Sequence, residues 1–577
     1  MCGILVLAGD ERPFHHGHLR SLRKRGPDDV GFWADEDVRI GHTRLAVIGL
    51  DERGTQPLEN ATHVLAYNGE IYNFNEIERR LRAEGSVVRG ASDAEILLHA
   101  WSQWGRAILP DLQGFWAFVV YDKARRRLTL VRDQFGVKPL YYQRTRDRVC
   151  VSSLLGTILS VFSEGAELDY EAMSEYVRYQ FTFGDKTFIR QIRKVLPGHL
   201  VEMDLDGGEA RSVCYEDIFA SRSGHRRPIS PEWIAETRQL LVNCVLESTI
   251  SDTPFTTLCS GGLDSSLITR IAGPEVAYHC NYSDPECNET FYAQQVVRDT
   301  PTRLFTVNAQ ESFDLVSRLA DIVQDFDELT IGSVILPLDE LLAQVKRRYK
   351  VVLTGTGGDE LFGGYVRYQL ALGECYQDSY RALYNRMKNI TGVADRFEFT
   401  HRKGDPFLYT FYQPDVEKTF KTTFEAGRAG DDDLEAMLRF DRLHFLQGLL
   451  NIDDKMSGRH SLESRPSLLH QRFVRHLQEV DTSGLLSNGD LKPVLRQLAM
   501  GLVPKAIIHR NDKLGFTTPI GTFVNKSSHL IREHLTNSRF RHLYDLRRRH
   551  FIAENKFSRE VFGLLMIDLW LHRYLSR

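Results

Sequence analysis

The feature that most constrains the fold is a glycine-rich segment in the middle of the chain, residues 259–266. It reads Cys-Ser-Gly-Gly-Leu-Asp-Ser-Ser, follows the apolar stretch 254–258 and precedes the helical pattern 267–271. A strand, a glycine-rich turn and a helix in this order let backbone N–H groups face an anion such as phosphate. The GxxxxGKS or GxxxxGKT loop of Walker-type proteins does not occur in the sequence. The segment therefore predicts an α/β domain that binds phosphate with a different loop.

A second glycine-rich cluster, residues 354–360, again follows an apolar, strand-like stretch, residues 349–353. Asp359 of this cluster and Asp264 of the first would form a carboxylate pair. Such a pair can hold Mg²⁺ on pyrophosphate oxygens, because this ion takes only one or two protein carboxylates. Alternatively, Asp359 and Glu360 are ordinary acidic residues in the first turn of a helix.

Near the N-terminus, Cys2 directly follows the initiator methionine. Removal of Met1 would give one residue both a thiol and a free α-amino group. That amine has a reference pKa of about 7.7–8.0, so part of it is neutral at cellular pH and can accept the thiol proton. The combination forms a nucleophile with its own base. The alternative is that a cysteine stands at this position by chance.

Three polar positions in the first hundred residues would complete a site around Cys2. Asn68 and Gly69 end the apolar run 65–67, which predicts a strand entering a tight turn whose amides stabilise an oxyanion. The Arg44 guanidinium can pair with a substrate carboxylate, and Asp93 could receive a substrate ammonium. The alternatives are a plain hairpin turn at Asn68 and a helix N-cap at Asp93, which Ser92 could serve equally well.

Length and composition describe an ordinary multidomain globular protein. The 577 residues predict two to four domains, and 42% apolar with 26% charged residues is typical of soluble proteins. A net charge of −4 gives no electrostatic reason to expect nucleic acid or an anionic membrane as a partner. The eight cysteines form no CxxC pair, and no apolar run reaches 18 residues. We expect a soluble, cytoplasmic enzyme with reduced thiols.

The first two hundred residues resemble class II glutamine amidotransferases, which are N-terminal-nucleophile hydrolases. The resemblance is carried by Cys2-Gly3-Ile4, Arg25-Gly26-Pro27-Asp28, Arg44-Leu45, Tyr67-Asn68-Gly69-Glu70, Ser92-Asp93, and the segments 111–118 and 132–142. It implies an α+β fold, a four-layer αββα sandwich that hydrolyses glutamine to glutamate and ammonia. It also implies catalytic roles for Cys2, Asn68 and Gly69, and glutamine binding by Arg44, Leu45, Val47, Ile48, Asn68, Gly69, Glu70 and Asp93.

Residues 230–530 resemble the synthetase domain of glutamine-hydrolysing asparagine synthetases, a PP-loop ATP pyrophosphatase. The motifs are SGGLDSS at 260–266, the cluster 353–365, and the segments 454–466 and 510–516. The resemblance implies a parallel α/β sheet with a helical C-terminal part, ATP and Mg²⁺ as cofactors, and ammonia attack on an adenylated carboxylate. It implies Lys513 as a catalytic residue and ATP binding by Leu258, Cys259, Ser260, Gly261, Gly262, Asp264, Ser265, Ser266, Asn281, Thr354, Gly355 and Asp359, with Asp264 and Asp359 as metal ligands.

We predict an amidotransferase domain over residues 2–210, a linker over 211–230 and a synthetase domain over 231–577. Glutamine, ATP and a carboxylic acid are the expected small-molecule partners, and a homodimer is possible. The resemblance also implies a channel between the domains that keeps ammonia away from bulk water, where it would be protonated.

The sequence departs from the synthetase family near the predicted acceptor pocket, which we assign to Thr356, Glu360, Asp327 and Glu328. Thr356 stands where the family usually has a glutamate that handles the incoming amine, and threonine is no base at neutral pH. His470 replaces an aspartate, and Cys259 replaces an apolar residue. The lost charge suggests that aspartate is a poor acceptor. The acceptor stays open between aspartate and another acid, such as a sugar uronate or a natural-product carboxylate. An intramolecular β-lactam-type cyclase and a non-catalytic scaffold are further alternatives, which the intact Cys2 set disfavours.

Overall fold

A computed structural model describes most of the chain. It covers residues 1–9, 16–90, 92–162, 165–220, 227–282, 284, 287–309, 314–330, 332–403, 415–428, 432–480, 482–486, 489–510, 523–524, 526–536, 538 and 555–575. Within these residues, no helix has both the length and the apolar character that crossing a membrane requires.

The N-terminal half is built on two antiparallel sheets. Its strands are β1 (Gly3–Ala8), β2 (Asp29–Ala34), β3 (Val38–Arg44), β4 (Leu58–Glu59), β5 (His63–Ile71), β6 (Gly114–Asp122), β7 (Arg127–Arg132), β8 (Tyr141–Arg144), β9 (Val149–Ser152), β10 (Ile192–Lys194), β11 (His199–Asp204) and β12 (Arg211–Cys214). Among the described residues, one sheet has the order β10-β8-β9-β1-β3-β2 and the other β12-β11-β7-β6-β5-β4.

Alternating side chains of these strands form a closed core between the two sheets. Ile4 and Val6 of β1 pack there with Val64 of β5 and Val119 of β6. The opposite faces of the strands are covered by helices α1 (Phe74–Ala83) and α2 (Asp93–Trp104) on one side, and by α3 (Leu155–Val161) and α4 (Tyr170–Tyr179) on the other. A period of two places successive side chains on opposite faces of a strand, so each sheet needs a cover on both sides. The predicted αββα sandwich is therefore confirmed.

The C-terminal half contains a parallel sheet of β13 (Phe255–Leu258), β14 (Val276–Asn281), β15 (Arg303–Asn308), β16 (Val351–Thr354) and β17 (Glu463–Pro466), in the order β15-β14-β13-β16-β17 over the described residues. Its helices begin with α5 (Pro231–Glu247), α6 (Leu263–Ala272), α7 (Thr290–Val297), α8 (Leu315–Val323), α9 (Ile335–Val345) and α10 (Gly358–Phe362). Strand β13 leads into α6 and β16 leads into α10, as predicted. Carboxyl ends of parallel strands meet at one sheet edge, which brings both glycine-rich turns together.

A largely helical segment completes this half. Its helices are α11 (Val366–Ala371), α12 (Arg381–Met387), α13 (Val393–His401), α14 (Val416–Arg428), α15 (Asp433–Phe440), α16 (Leu446–Arg459), α17 (Gln471–Leu477), α18 (Pro493–Ala499), α19 (Lys505–Ile508), α20 (Ser528–Thr536) and α21 (Asn555–Leu575). Helix α16 contacts β17 and α9 of its own half, and its Asp454 accepts from Arg25 of the N-terminal half. The predicted parallel α/β sheet with a helical C-terminal part is confirmed.

Two local details differ from the sequence predictions. The tight turn expected at Asn68 and Gly69 is wrong, because β5 continues through both residues to Ile71 and pairs with β6 along its length. Gly69 permits this pairing, since a Cβ there would lie 2.2 Å from the Phe115 carbonyl oxygen. The predicted linker 211–230 begins with strand β12, which pairs with β11, so this sheet extends past residue 210.

Candidate active sites

Cys2 lies at the start of β1, half-buried, where the amidotransferase half faces the synthetase half. Its backbone N–H donates to Asn68 Oδ1 at 2.9 Å, so this nitrogen is already fixed in place before any removal of Met1. Its carbonyl oxygen accepts from Arg25 Nε at 3.0 Å. Burial raises the pKa of the thiol, while the nearby Arg44 charge lowers it. The thiol therefore needs a local base, and the α-amine of a mature Cys2 would be the nearest.

Asn68 also has an unused donor. The side chain is fully buried, and Nδ2 has no hydrogen-bond partner among the described residues. A buried amide without a partner costs free energy, commonly about 1–3 kcal/mol. Because the same side chain contacts Cys2 through Oδ1, the free Nδ2 is next to the thiol-bearing residue. This arrangement suits a donor that waits for a substrate oxygen.

The Asp93 carboxylate lies at the first residue of α2, and Ser92 is the residue that caps this helix. Tyr67 Oη donates to Asp93 Oδ2 at 2.7 Å, and the Ile71 and Ala94 amides donate to the carboxylate as well. Burial raises the pKa of Asp93 to about 6. Asp93 is thus a buried acid, largely ionised at pH 7, close to the strand that carries Asn68.

Glu70 follows Gly69 on β5 and points toward the synthetase half. Its Oε2 accepts from Arg465 Nη2 at 3.1 Å, while Oε1 is buried and has no partner within the described part of the chain. Burial, with Asp93 nearby, raises the pKa of Glu70 well above its usual range. Glu70 therefore links the predicted glutamine site to the neighbouring domain.

Arg44 is placed close to the thiol but is engaged differently from the prediction. Its guanidinium donates to the carbonyl oxygens of Asp51, at 2.7 Å, and of Ile48 and Gly49. These contacts fold the segment 45–51 over Cys2, and the Leu45 carbonyl lies 3.9 Å from the Cys2 Sγ. Val47 is buried and Ile48 is half-buried in the same segment. Arg44 thus shapes the wall of the site as well as contributing charge.

The phosphate-binding loop of the synthetase half is held by its own serines. Ser265 Oγ accepts from the Ser260 backbone N–H at 3.1 Å and lies 2.9 Å from Ser260 Oγ. Gly261 has a φ of +83°, and a Cβ there would lie 2.8 Å from the backbone nitrogen of Ala293. Ser266 Oγ is buried without a hydrogen-bond partner among the described residues. The loop therefore has the shape and the free donor expected of a phosphate site.

The remaining predicted ATP residues lie around this loop. Leu258 ends β13, and Gly262 is the N-cap of α6. The Cys259 N–H donates to the Tyr278 carbonyl, and burial raises the pKa of its thiol to about 11, so it is an unreactive packing residue. Asn281 ends β14 and donates to Asn308 Oδ1 at 2.9 Å.

The two glycine-rich turns touch each other, as the shared sheet edge requires. A Cβ on Gly355 would lie 2.8 Å from the Ser265 backbone nitrogen, and one on Gly358 would lie 2.3 Å from Asp264 Oδ1. Only glycine permits this approach. The second turn therefore lies against the first loop.

A lysine that sequence reasoning missed joins the two predicted metal ligands. Lys492 Nζ lies 2.6 Å from Asp264 Oδ1 and 2.7 Å from Asp359 Oδ1. Lys492 immediately precedes α18 and has a φ of +57°, in the left-handed region that few non-glycine residues adopt. Both carboxylates therefore converge on a single cationic group. Its position just before Pro493 at a helix start was the only sequence feature that could have indicated it.

A second missed residue, Asp453 of α16, faces the position where the family glutamate is replaced. Thr356 Oγ1 donates to Asp453 Oδ2 at 2.6 Å, and Thr354 Oγ1 donates to the same oxygen at 3.2 Å. Burial raises the pKa of Asp453 to about 6. An acidic residue on a helix directly after the apolar Ile452 could have indicated a site, but nothing in the sequence paired it with Thr356.

The other residues predicted for the acceptor pocket do not contact Thr356. Asp327 pairs with Lys455 at 2.6 Å, and Glu328 pairs with Lys194 at 2.8 Å and accepts from Tyr141. Glu360 accepts from Tyr365 Oη at 2.5 Å, and burial raises its pKa to about 7. Each of these carboxylates already has its own partner.

Two further positions singled out in the sequence are His470 and Lys513. His470 Nε2 donates to Glu247 Oε2 at 2.9 Å, and its ring stacks on Tyr72, so this side chain lies at the domain interface instead of the predicted acceptor pocket. Lys513 lies outside the described residues. Arg510, three residues before it, pairs with Glu289 at 2.6 Å and donates to the Gly261 carbonyl.

The two sites are joined by buried contacts along α16. Arg25, which holds the Cys2 carbonyl, donates to Asp454 Oδ2 at 2.7 Å, and Asp454 is the residue after Asp453. The buried Met1 side chain lies against Arg25 and within 3.4 Å of Lys138 Nζ. Two consecutive residues of the helix therefore contact the two halves: Asp454 binds Arg25, and Asp453 binds Thr356.

Comparison with known proteins identifies both halves. Residues 1–214 match the glutamine amidotransferase domain family, and residues 236–572 match the asparagine synthase family. The glutamine-hydrolysing asparagine synthetase 1 of Bacillus subtilis is 28% identical over 590 residues, covering 95% of this chain and 91% of the relative. Asparagine synthetase 3 of the same organism is 28% identical over 85% of this chain and 82% of the relative. Asparagine synthetase B of Escherichia coli is 28% identical over 67% and 69%.

Fold and sites together define a glutamine amidotransferase fused to an ATP-dependent, amide-forming ligase. The chain belongs to the asparagine synthase family, which confirms the predicted resemblance and, with it, the use of glutamine and ATP.

Proposed function

We propose that the protein transfers the amide nitrogen of glutamine to aspartate, in two chemical steps at two sites. The contact that carries this proposal is the hydrogen bond from Thr356 to Asp453. This bond places the Asp453 carboxylate beside Thr356, the position at which the family usually has a glutamate. The missing glutamate was the reason for doubting aspartate as the acceptor, and Asp453 offers a carboxylate in its stead. The names of the relatives also favour aspartate.

In the first site, the mature Cys2 amine takes the thiol proton and the thiolate attacks the glutamine carboxamide. Asn68 Nδ2 and the Gly69 backbone would stabilise the oxyanion, because Nδ2 is buried beside Cys2 without another partner. Asp93 would bind the substrate ammonium. Arg44 and the segment it folds would enclose the substrate carboxylate, with Leu45, Val47, Ile48 and Glu70 forming the remaining wall.

In the second site, the loop 259–266 would hold the ATP phosphates and the acceptor carboxylate would attack the α-phosphate. We propose that Asp264 and Asp359 hold Mg²⁺ when ATP is bound, since both oxygens already converge on one cationic group. When bound, the ion would neutralise pyrophosphate oxygens. Lys492 neutralises the two carboxylates in its absence, and Lys513 remains the predicted lysine for the chemical steps.

The proposal also includes three predictions from the sequence, namely the domain limits, a cytoplasmic location and a homodimer. The proposed domains span residues 2–210 and 231–577, and strand β12 extends the first sheet to residue 214. Light scattering of the purified enzyme would measure the oligomeric state.

Replacing the nucleophile separates the two activities. Cys2→Ala should lower glutamine hydrolysis by at least about 1,000-fold, because the attacking atom is lost. Synthesis with ammonium chloride should stay near the wild-type rate, since the second site is untouched. Glutamate release and pyrophosphate release measure the two halves. Glutaminase activity that persists in this variant would contradict the nucleophile assignment.

The pH dependence of glutamine binding should report Asp93. Its pKa is raised to about 6, so the carboxylate becomes protonated and loses its attraction for the substrate ammonium as the pH falls below 6. The KM for glutamine should therefore rise up to about tenfold per pH unit below this value. Tyr67→Phe removes a hydrogen bond that favours the ionised form, so the rise should begin at a higher pH. A KM that stays constant from pH 5 to 8 in both proteins would refute the assignment.

The proposed metal ligands should be required only for the second half-reaction. Asp264→Asn or Asp359→Asn should reduce pyrophosphate formation by at least about 100-fold, because neutral amides are weak ligands for Mg²⁺. Glutamine hydrolysis should remain measurable. Asp378→Asn is a matched control, since that side chain is 98% exposed. Near-normal ATP cleavage in either variant would exclude that residue as a ligand.

The acceptor is tested by comparing kcat/KM for aspartate with a panel of uronic acids and modified amino acids, using pyrophosphate release with glutamine and Mg-ATP. We expect aspartate to have the highest value. A different acid preferred by tenfold or more would instead support the alternative acceptor that Thr356 first suggested.

A further inference from the structure

Only one of the two Asp453 carboxylate oxygens is hydrogen-bonded within the described part of the chain. Both threonine hydroxyls, from Thr354 and Thr356, contact the same oxygen, Oδ2. Among the described residues, Oδ1 has no hydrogen-bond partner, and no lysine, arginine or histidine forms an ion pair with this side chain. Asp453 is only half-buried, and Oδ1 is not among the fully buried unpaired oxygens of the described residues, so water at this oxygen can be replaced by a ligand. Oδ1 is therefore available to a ligand.

The carboxylate lies at the reacting end of the synthetase sheet. Thr354 is the last residue of β16, and Gly355 packs directly against Asp264 and Ser265 of the phosphate-binding loop. A nucleotide on that loop would place its α-phosphate, and any acyl group joined to it, near this edge. Asp453 thus borders the space where an activated carboxylate would form.

The helix that carries Asp453 also contacts the glutaminase half. Asp454, the residue after Asp453, pairs with Arg25, and Arg25 holds the Cys2 carbonyl. Ammonia released at Cys2 would reach the synthetase half beside this part of α16. Glu70 Oε1 also lacks a partner within the described residues, but Glu70 belongs to β5 of the glutaminase half, whereas Asp453 offers its unoccupied oxygen on the synthetase side.

We infer that Asp453 Oδ1 faces ammonia as it attacks the acyl-adenylate and accepts its proton, an inference that rests on the proposed function. The nitrogen lone pair forms the C–N bond, which leaves a positive charge on nitrogen and a negative charge on the carbonyl oxygen. Asp453 removes one proton from that nitrogen. The carbonyl re-forms, the bond to the AMP oxygen breaks with its electron pair, and AMP leaves. Asp453 then releases the proton to solvent.

This role also explains why residue 356 is a threonine. A glutamate there would bring a second carboxylate against Asp453, and two carboxylates sharing one site repel each other and push one pKa upward. A threonine hydroxyl instead donates to Asp453 and fixes its orientation. Burial raises the pKa of Asp453 to about 6, which makes it a stronger base than an exposed aspartate, and the carboxylate is still largely ionised at pH 7.

The experiment uses the full enzyme with ammonium chloride as the nitrogen source, and measures pyrophosphate and amide separately. Asp453→Asn keeps the size of the side chain and an oxygen for the two threonines. We expect the yield of amide per pyrophosphate to fall by about 100-fold or more, while pyrophosphate formation and glutamine hydrolysis stay within threefold of wild type. Asp378→Asn serves as the exposed control and should change neither yield.

The inference is overturned if Asp453→Asn keeps its amide yield within twofold of wild type, or if pyrophosphate and amide formation fall together. Should glutamine hydrolysis also be lost, Asp453→Ser, which is smaller and keeps a hydroxyl, is judged by the same criterion. Failure of the proposed function looks different, because the wild-type enzyme would then release no pyrophosphate with any carboxylate on the panel.

Discussion

Arg465, fully buried at the domain interface, is the residue on which the joint architecture depends. Its guanidinium donates to Glu70 of β5, to Glu463 of its own strand, and to the carbonyl oxygens of Ser248 and Ile250. Removing one partner of a buried ion pair commonly costs about 3–5 kcal/mol, because the other charge stays buried without compensation. Both halves are therefore held in one relative position.

The contact between Arg465 and Glu70 also connects the two candidate sites. Glu70 neighbours Asn68 and Gly69 at the first site, while β17, which carries Arg465, pairs with β16, whose end carries Thr354 at the second. Arg465 therefore connects the strand of Asn68 and Gly69 to the strand pair that leads to Thr356 and Asp359. A second buried connection between the sites is the ion pair of Arg25, from the first half, with Asp454 of α16. It is independent of the contact between Arg465 and Glu70. The ammonia channel that the resemblance predicts would need such a closed and fixed interface.

More of the fold than of the candidate sites could be predicted from the sequence. Strand, turn and helix at residues 255–272 follow from local sequence, because glycines and an apolar run specify them within a few neighbouring residues. The hairpin turn predicted at Asn68 was wrong because a contact from β6, distant in sequence, continues the strand. Lys492 and Asp453 could not be assigned for the same reason. Lys492 meets Asp264 across 228 residues, and Asp453 meets Thr356 across 97. Side-chain pairs of this kind are set by helix packing, which a single sequence does not specify.

Residue 356 is a threonine where the family usually has a glutamate, and a carboxylate from a different helix lies beside it. Read along the chain, the glutamate-to-threonine change removes a negative charge and suggests a different acceptor. In the folded protein, Asp453 of α16 lies beside residue 356, and the threonine is its hydrogen-bond donor. The other acids near the predicted pocket cannot take this part, since Asp327 and Glu328 are neutralised by lysines and Glu360 is bound to Tyr365. The carboxylate beside residue 356 is thus supplied by another element, α16. A single substitution in a motif therefore says little about specificity until the side chains that face it are known.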